Sequence, residues 1–561
     1  MKQIIECVPN FSEGRNMEII GQITDQIKSV EGVKLLDVDP GAATNRTVVT
    51  IAGEPEQVIE AAFQAVRKAM ELIDMSKHSG AHPRFGATDV CPLVPISNIT
   101  MEETVKYAYK LAERIGKELG IPVYCYEEAA LQPERRNLAY CRSGEYEGLS
   151  KKLSEAGWKP DFGPAEFLPL TGAIAVGARD FLVAYNVNLN STSTRRANAV
   201  AFDIREKGRP MREGNPVTGK IMKDENGKQI DIPGTLKACK AIGWFIEEYG
   251  IAQVSINLTN ISITPVHVAF EEACKKAAER GMRVTGSELV GLAPLKVFTD
   301  AGKYFLKKQQ RSVGVSQDEL IKIAVKSLGL DDLKPFNPAE KIIEFVLEEK
   351  TGHLLMDKTC RAFADETASE SPAPGGGSIS AYMGVLGISL GTMVANLSSH
   401  KPGWDERWEE FSQWAEKGQA LKDELLFLVD EDTNAFNKIM NAFGLPKGND
   451  LEKAARAEAI EEATRYAIEI PLRVMRKSFE AMEIIEAMAE TGNPNSVSDA
   501  GVGALAARSA VMGAYLNVKI NASGLSDKSY VEKVLAEGAE LEKQACIAEE
   551  RILKTVNAKI K

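Results

Sequence analysis

KLLDVDPGAATNRTVVTIAGEPEQVIEAAFQAVRKAMELIDM, residues 34–75, holds two β-type runs followed by one long amphipathic helix. Lys34–Asp39 and Thr47–Ala52 are rich in Leu, Val, Ile and Thr and are separated by a Pro-Gly pair, which predicts two strands across a turn. In Glu54–Met75 apolar residues recur at helical spacing, which predicts a helix with one buried face. Gln3–Val8 predicts a strand before this stretch and Val90–Pro95 one after it. Strand, helix, strand, strand, helix, strand is the order of a split βαβ, ferredoxin-like sandwich, with helices on one sheet face and the other face open.

A second pass of the same element order begins near Gly172, with strands over Ala173–Val176 and Phe181–Leu189 and a helix over Ser193–Lys207. Gln253–Leu258, Val266–Arg280 and Arg283–Ser287 continue it. Met211–Ile232, rich in Gly, Asn, Asp and Lys, predicts a surface excursion or loose hairpin. LDDLKPFNP, residues 330–338, carries two prolines and predicts a linker. From Lys341 to Lys561 helix-forming residues dominate, broken at Pro372–Gly377, Lys401–Gly403, Leu445–Asp450 and Gly492–Pro494. The expected organisation is therefore an α+β half (subdomains 1–178 and 179–329), a linker at 330–340 and an all-α domain over 341–561.

Of the 561 residues 44% are hydrophobic and 26% charged, a globular composition that excludes disorder as the main state. With 68 Lys+Arg against 79 Asp+Glu the net charge is -11, which disfavours nucleic acid or an anionic membrane as partner, so any anionic ligand must meet a local positive site. The eight cysteines are scattered without a CxxC pair, so neither a zinc cage nor a disulfide framework is indicated and a reducing cytoplasm is expected. No room for a signal-peptide core precedes the polar segment at Pro9–Arg15. Ser371–His400 carries no Asp, Glu, Lys or Arg, long enough to span a bilayer. Its Ser, Thr and Asn residues, with Gly384, Gly387 and Gly391, predict a close-packed core helix instead.

Two of the five histidines, His78 and His82, lie four apart in HSGAHPRFG. Gly80 and Pro83 argue for a loop, not for the helix that would aim both rings at one metal, so no metal is expected. Proton transfer and loop-stabilising hydrogen bonds both remain open for this pair. Asp37 and Asp39 flank a predicted strand end, Asn45 and Arg46 begin the next strand, and Arg84 and Asp89 follow His82; ordinary solvated loop surface explains each singly, and only a fold that brings these ends together makes them a site. Asp161–Gly172 mixes Gly, Pro and apolar residues and suits either a slot for a flat ring or an ordinary buried crossing. GNPVTGK, residues 214–220, lacks the Ser or Thr and the following helix of a phosphate loop. Gly375, Gly376 and Gly377 open a helix whose amides are available to an anionic or carbonyl edge.

CVPNFSEGRN, LLDVDPGAATNRTV, IDMSKHSGAHPRFGATDVCPLVPI, KPDFGPAEF and GARDFLVAYNVNLN resemble the formiminotransferase domain family, and SESPAPGGGS, LVDEDTNAF and LPK resemble the cyclodeaminase domain found fused to it. The resemblance implies transfer of a formimidoyl group from N-formimidoyl-L-glutamate to tetrahydrofolate, then ring closure to 5,10-methenyltetrahydrofolate with release of ammonia. It implies two α/β subdomains with facing sheets and folate between them, a helical cyclodeaminase half that dimerises, tetrahydrofolate as a co-substrate that can carry a polyglutamate tail, and a homo-oligomer assembled through both domains. It leaves open a methenyltetrahydrofolate cyclohydrolase or an inactive dimerising module as the second domain. A folate-binding scaffold without turnover is the non-enzymatic alternative.

By position, the resemblance puts the transferase catalytic histidine at His82 and the cyclodeaminase acid/base at Asp432. It puts the folate loop at Gly163, Pro164, Ala165, Glu166, Phe167, Leu168, Pro169, Leu170, Thr171 and Gly172. Asp39, Arg46 and Arg84 are expected around the glutamate substrate, with the two arginines on its carboxylates. Gly375–Gly377 and Asp499 are expected at the same site as Asp432. Crowding of Asp430, Glu431 and Asp432 is expected to raise the pKa of the least solvated acid.

Overall fold

The computed structural model describes residues 3–42, 45–79, 83–214, 219–347 and 354–560. His82 therefore lies outside the described residues, as do Ser79's next neighbours Gly80 and Ala81. The chain forms two units, one of residues 1–301 with 325–348 and one of residues 302–324 with 349–561.

In the first unit the elements run β1 (Ile4–Cys7), α1 (Met17–Lys28), β2 (Val33–Gly41), β3 (Arg46–Gly53), α2 (Pro55–Leu72), β4 (Thr88–Ser97), α3 (Met101–Arg114) and β5 (Val123–Glu127). After these come α4 (Glu145–Leu153) and β6 (Ile174–Ala178). A two-residue strand, Asn10–Phe11, completes a seven-stranded sheet in which β1 lies between β3 and β4, with β2 outside β3. That is the split βαβ order. Beyond it β6 pairs parallel to β4, and β5 parallel to β6. Thus the strand expected to open the second pass closes the first sheet. The expected Pro-Gly turn also moves: β2 continues through Pro40 and Gly41, paired with Thr47 and Arg46, because an edge strand tolerates proline.

Alternation decides what each face does. Ile5, Cys7, Val49, Ile51, Leu93, Val123 and Val176 pack under α1, α2 and α3. On the opposite face Val90, Tyr124 and Tyr126 meet Leu149 and Leu153, so the segment around α4 covers part of a face expected to be open. Proline at the first position of α2 and a capping box from Thr100 to Glu103 at α3 fix where those helices start.

The second pass forms a four-stranded antiparallel sheet from β7 (Val183–Leu189), β8 (Cys239–Ile246), β9 (Ile251–Leu258) and β10 (Val284–Val290), in the order β8–β9–β7–β10. Helices α5 (Thr194–Ile204) and α6 (Val266–Ala278) complete it, and the strand order repeats that of the first four strands. Strand β8 was not anticipated, because its alternation buries only Cys239, Ala241 and Gly243 and leaves Lys240, Ile242 and Trp244 outside. The 211–232 excursion is a loose hairpin closed by Arg209–Pro210 against Asp231–Ile232. Residues 330–340, expected to link the two halves, lie in the first unit, where Asp332 accepts from Asn188 and Thr285 and Phe336 packs 5.4 Å from Phe298.

The second unit is helical: α7 (Gly376–Ser399), α8 (Trp408–Phe443), α9 (Asp450–Thr491), α10 (Val497–Ala522) and α11 (Lys528–Lys559). The uncharged α7 is long and apolar enough to cross a membrane, yet it sits at the centre of this unit, packed against α8, α9 and α10. Its glycines permit that approach: a β-carbon on Gly387 would press on the backbone of Gly503 and Ala507.

Candidate active sites

In the first unit a cavity of about 1140 Å³ takes its walls from both sheets: Val8, Asn10 and Tyr126 from one, Lys240 and Thr259 from the other. Arg46, Arg142 and Arg179 line it, so an acidic chain concentrates cations where an anionic ligand would need them. Arg142 pairs with Asp89, which is fully buried and accepts from the Phe85 N–H at 3.1 Å. Burial and the Arg142 charge lower the pKa of Arg46, and Asp89 and Asp39 oppose them. Arg142 was missed from sequence; a lone arginine in CRSGE has no periodic or motif signal.

The loop that leads to residues 80–82 is anchored on both sides. His78 accepts at Nδ1 from Arg84 Nε, 3.1 Å, so its Nε2 bears the proton and donates to the Asn45 carbonyl at 2.9 Å. Its ring is thus held as a strut. Arg84 makes five hydrogen bonds: Nε to His78 Nδ1, Nη1 to Glu145 and Glu147, and Nη2 to Glu147 and to the His78 carbonyl. A guanidinium has five N–H donors, so Arg84 serves the scaffold with nothing left for a substrate carboxylate. A smaller recess lined by His78, Ser79, Arg84 and Glu147 lies beside it.

The segment Gly163–Gly172 is irregular and tied to that loop's base. Leu170 accepts from Met75 N–H, Thr171 from Ala87 N–H and Pro169 from the Tyr146 hydroxyl, at 2.9, 2.7 and 2.6 Å. Phe167 packs 5.6 Å from Tyr146. Gly172, at φ +71°, lies so close to Phe85 and Gly86 that no β-carbon fits. Asp39 is exposed on β2.

Glu6, on β1 between Ala52 and Val94, is 5% exposed, and burial raises its pKa from the ordinary 4.5 to about 7 against the opposing charge of Arg179. A carboxyl whose folded pKa exceeds its unfolded one gives its full stability below about pH 4.5 and loses it as pH rises through about 7. Glu6→Gln is therefore expected to leave stability unchanged at pH 4 and to raise it at pH 8 by up to about 3 kcal/mol, read from urea midpoints at the two pH values.

In the helical unit Asp432 lies on α8 over the start of α7. Its Oδ2 accepts from the Ser378 hydroxyl at 3.0 Å and its Oδ1 lies against Gly377, where a β-carbon would overlap the carboxylate. A side chain there would have to displace the carboxylate. Burial raises the Asp432 pKa, and the Ser378 hydroxyl and amide pull the other way. The expected crowding of three acids is not the cause, because successive helix positions point apart. Asp430 instead caps the Leu355 N–H at 2.6 Å, and Glu431 accepts from the Tyr466 hydroxyl and from Asn434.

A pocket of about 140 Å³ joins Asp432 to Gly375, Gly376, Phe436, Ala467, Asn517 and Asn521. Pro471 explains one wall. Lacking an N–H, it frees the Ala467 carbonyl within α9, and Asn521 Nδ2 donates to that carbonyl at 2.7 Å. Asp499 does not reach this pocket: it lies 18 residues before Asn517 on α10, about 27 Å away at the helical rise of 1.5 Å per residue. A larger groove of about 830 Å³, lined by Tyr466 and Tyr530, lies elsewhere in the unit without Asp432. The smaller pocket is where the carboxyl can meet a ligand.

Comparison with known proteins agrees with this division. Residues 4–179 match the formiminotransferase domain, N-terminal subdomain; residues 184–348 the formiminotransferase domain; and residues 359–540 the family described as formiminotransferase-cyclodeaminase. The chain is 42% identical to a formimidoyltransferase-cyclodeaminase of Mus musculus over 95% of both chains. A glutamate formimidoyltransferase of Streptococcus pyogenes is 44% identical over 55% of this chain and 94% of its own. A methenyltetrahydrofolate cyclohydrolase of Methylorubrum extorquens is 40% identical over 36% of this chain and 98% of its own. With its α/β half, its helical half and this similarity along nearly its whole length, the chain belongs to the formimidoyltransferase-cyclodeaminase family, the bifunctional enzymes that join histidine degradation to folate metabolism.

Proposed function

We propose that residues 1–329, as subdomains 1–178 and 179–329, transfer the formimidoyl group of N-formimidoyl-L-glutamate to tetrahydrofolate. The helical residues 349–561 then close the ring and release ammonia. The observation that carries the proposal is the pairing of two built sites, a cation-lined cavity in one unit and a buried carboxyl over a glycine turn in the other.

In the first step the pterin nitrogen attacks the amidine carbon and glutamate leaves, so one nitrogen must lose a proton and another gain one. His82 is assigned both transfers, because an imidazole titrates near neutrality and can accept and then donate. Arg46, with Arg142 in the place first expected for Arg84, holds the substrate carboxylates, and Asp39 tempers the Arg46 charge. Gly163–Gly172 carries the folate against the loop base.

In the second step the second folate nitrogen adds to the formimidoyl carbon, and the tetrahedral intermediate expels its amino group. Asp432, kept neutral to higher pH than an ordinary aspartate, gives that group its proton, and ammonia departs from the methenyl product. Gly375–Gly377 shape the wall beside it. No step calls for a metal. The eight cysteines, scattered without a CxxC pair, suit an enzyme of the reducing cytoplasm. Leu386, Met393 and Leu397 on α7 and Val502, Leu505 and Leu516 on α10 are exposed, which supports a homo-oligomer through this unit. A polyglutamate tail on the folate suits a cavity of this size and charge.

The similarity to a cyclohydrolase favours one second reading, in which the helical half hydrolyses the methenyl product without ammonia chemistry. Supplying formimidoylglutamate and tetrahydrofolate and measuring ammonia against methenyl absorbance separates the two. Equal yields of ammonia and methenyl product are expected; transferase product without ammonia would refute the proposal for the second unit.

A further inference from the structure

Lys152, on α4, is 6% exposed. Taking an ammonium that far from water is expensive unless other groups replace its hydration. Its Nζ donates to the carbonyls of Cys141 and Ser143, the latter at 3.3 Å, and lies 3.8 Å from the centre of the Trp158 ring. Burial lowers its pKa to about 8.

The two carbonyls bracket Arg142. That guanidinium lines the cavity and pairs with Asp89, whose carboxylate in turn holds the Phe85 amide at the base of the histidine loop. An apolar side chain of similar length would fill the hole under Trp158. It could not hold two main-chain carbonyls on either side of one residue.

The geometry points to Lys152 as a positioning residue of the transferase: by holding Cys141 and Ser143 it fixes the turn from which Arg142 reaches Asp89 and the cavity, and so sets affinity for a dicarboxylate substrate. The inference rests on Arg46 and Arg142 being the carboxylate-binding pair. The other groups facing Lys152 are the Cys141 thiol, pushed up to about 11, the Arg135 guanidinium and the Tyr124 phenol, pushed above its ordinary range. The thiol and the phenol both stay neutral between pH 7 and 9.

Steady-state kinetics of the full chain test it with Lys152→Met, Lys152→Arg, Arg142→Ala and the double variant Lys152→Met/Arg142→Ala. Lys152→Met is expected to raise KM for formimidoylglutamate about tenfold with kcat and KM for tetrahydrofolate unchanged, and Lys152→Arg to restore most of the loss. In the Arg142→Ala background Lys152→Met is expected to add nothing. Above pH 8 the neutral amine keeps two N–H donors but loses the charge that strengthens them, so in the unmodified protein KM for formimidoylglutamate is expected to rise by a small factor as pH climbs through 8, and that rise to vanish in Lys152→Arg, a readout that stands even if the methionine variant does not fold. If Arg142→Ala raises KM and Lys152→Met does not, or if Lys152→Met acts equally with and without Arg142, the role of Lys152 is refuted and the carboxylate assignment stands. An unchanged KM in Arg142→Ala refutes that assignment itself.

Discussion

Asp432→Asn is expected to reduce cyclodeamination about a thousandfold and to leave formimidoyl transfer at its original rate. The substitution keeps the shape that Gly377 accommodates and can keep an oxygen toward Ser378, so the unit should stay folded. It removes only the proton. Without it the amino group must leave the tetrahedral intermediate as an amide anion, a far poorer leaving group than ammonia. The pH dependence follows from the same burial. Because the folded pKa is raised, the carboxyl holds its proton at pH values where an ordinary aspartate has lost it, and the cyclodeamination rate should fall as pH rises through that raised value. Stopped assays with 5-formimidoyltetrahydrofolate as the added substrate read both effects.

His82→Ala is expected to have the mirror-image result: a loss of about a thousandfold in formimidoyl transfer, with added 5-formimidoyltetrahydrofolate still converted to methenyl product. If the imidazole serves both proton transfers, as proposed, its removal should lower kcat and kcat/KM together, the pattern of a group acting in the transition state. His78→Ala should differ in kind. That ring joins Arg84 to Asn45, and its loss loosens the loop without removing the acid/base group.

The strands and helices of the first subdomain were legible because alternation and helical spacing are strong where one face is buried, as in Thr47–Ala52 and Glu54–Met75. Strand β8 was not, since its outward face carries Ile242 and Trp244 and the pattern looks apolar throughout. The helical half was legible from its breaks, three of which fall at the observed starts of α7, α9 and α10. The site was legible only in part. Arg84 looks from sequence like a substrate-binding arginine, and only the fold reveals Glu145 and Glu147, some sixty residues later, taking up its donors. Arg142, Asn517 and Asn521 come from segments with no local motif, and their chemistry arises from long-range contacts. Pro471 carried a signal, a proline in a long helical pattern, which marks a carbonyl in need of a partner.

The proposed function places two chemically separate sites on one chain. The most direct measurement is the crossed assay, in which the His82→Ala and Asp432→Asn proteins are each supplied with formimidoylglutamate plus tetrahydrofolate, and separately with 5-formimidoyltetrahydrofolate, and glutamate and ammonia are counted. Each protein should lose one product-forming step and keep the other, and an equimolar mixture of the two should restore ammonia release from formimidoylglutamate. Loss of both steps in either protein, or retention of both, would contradict it.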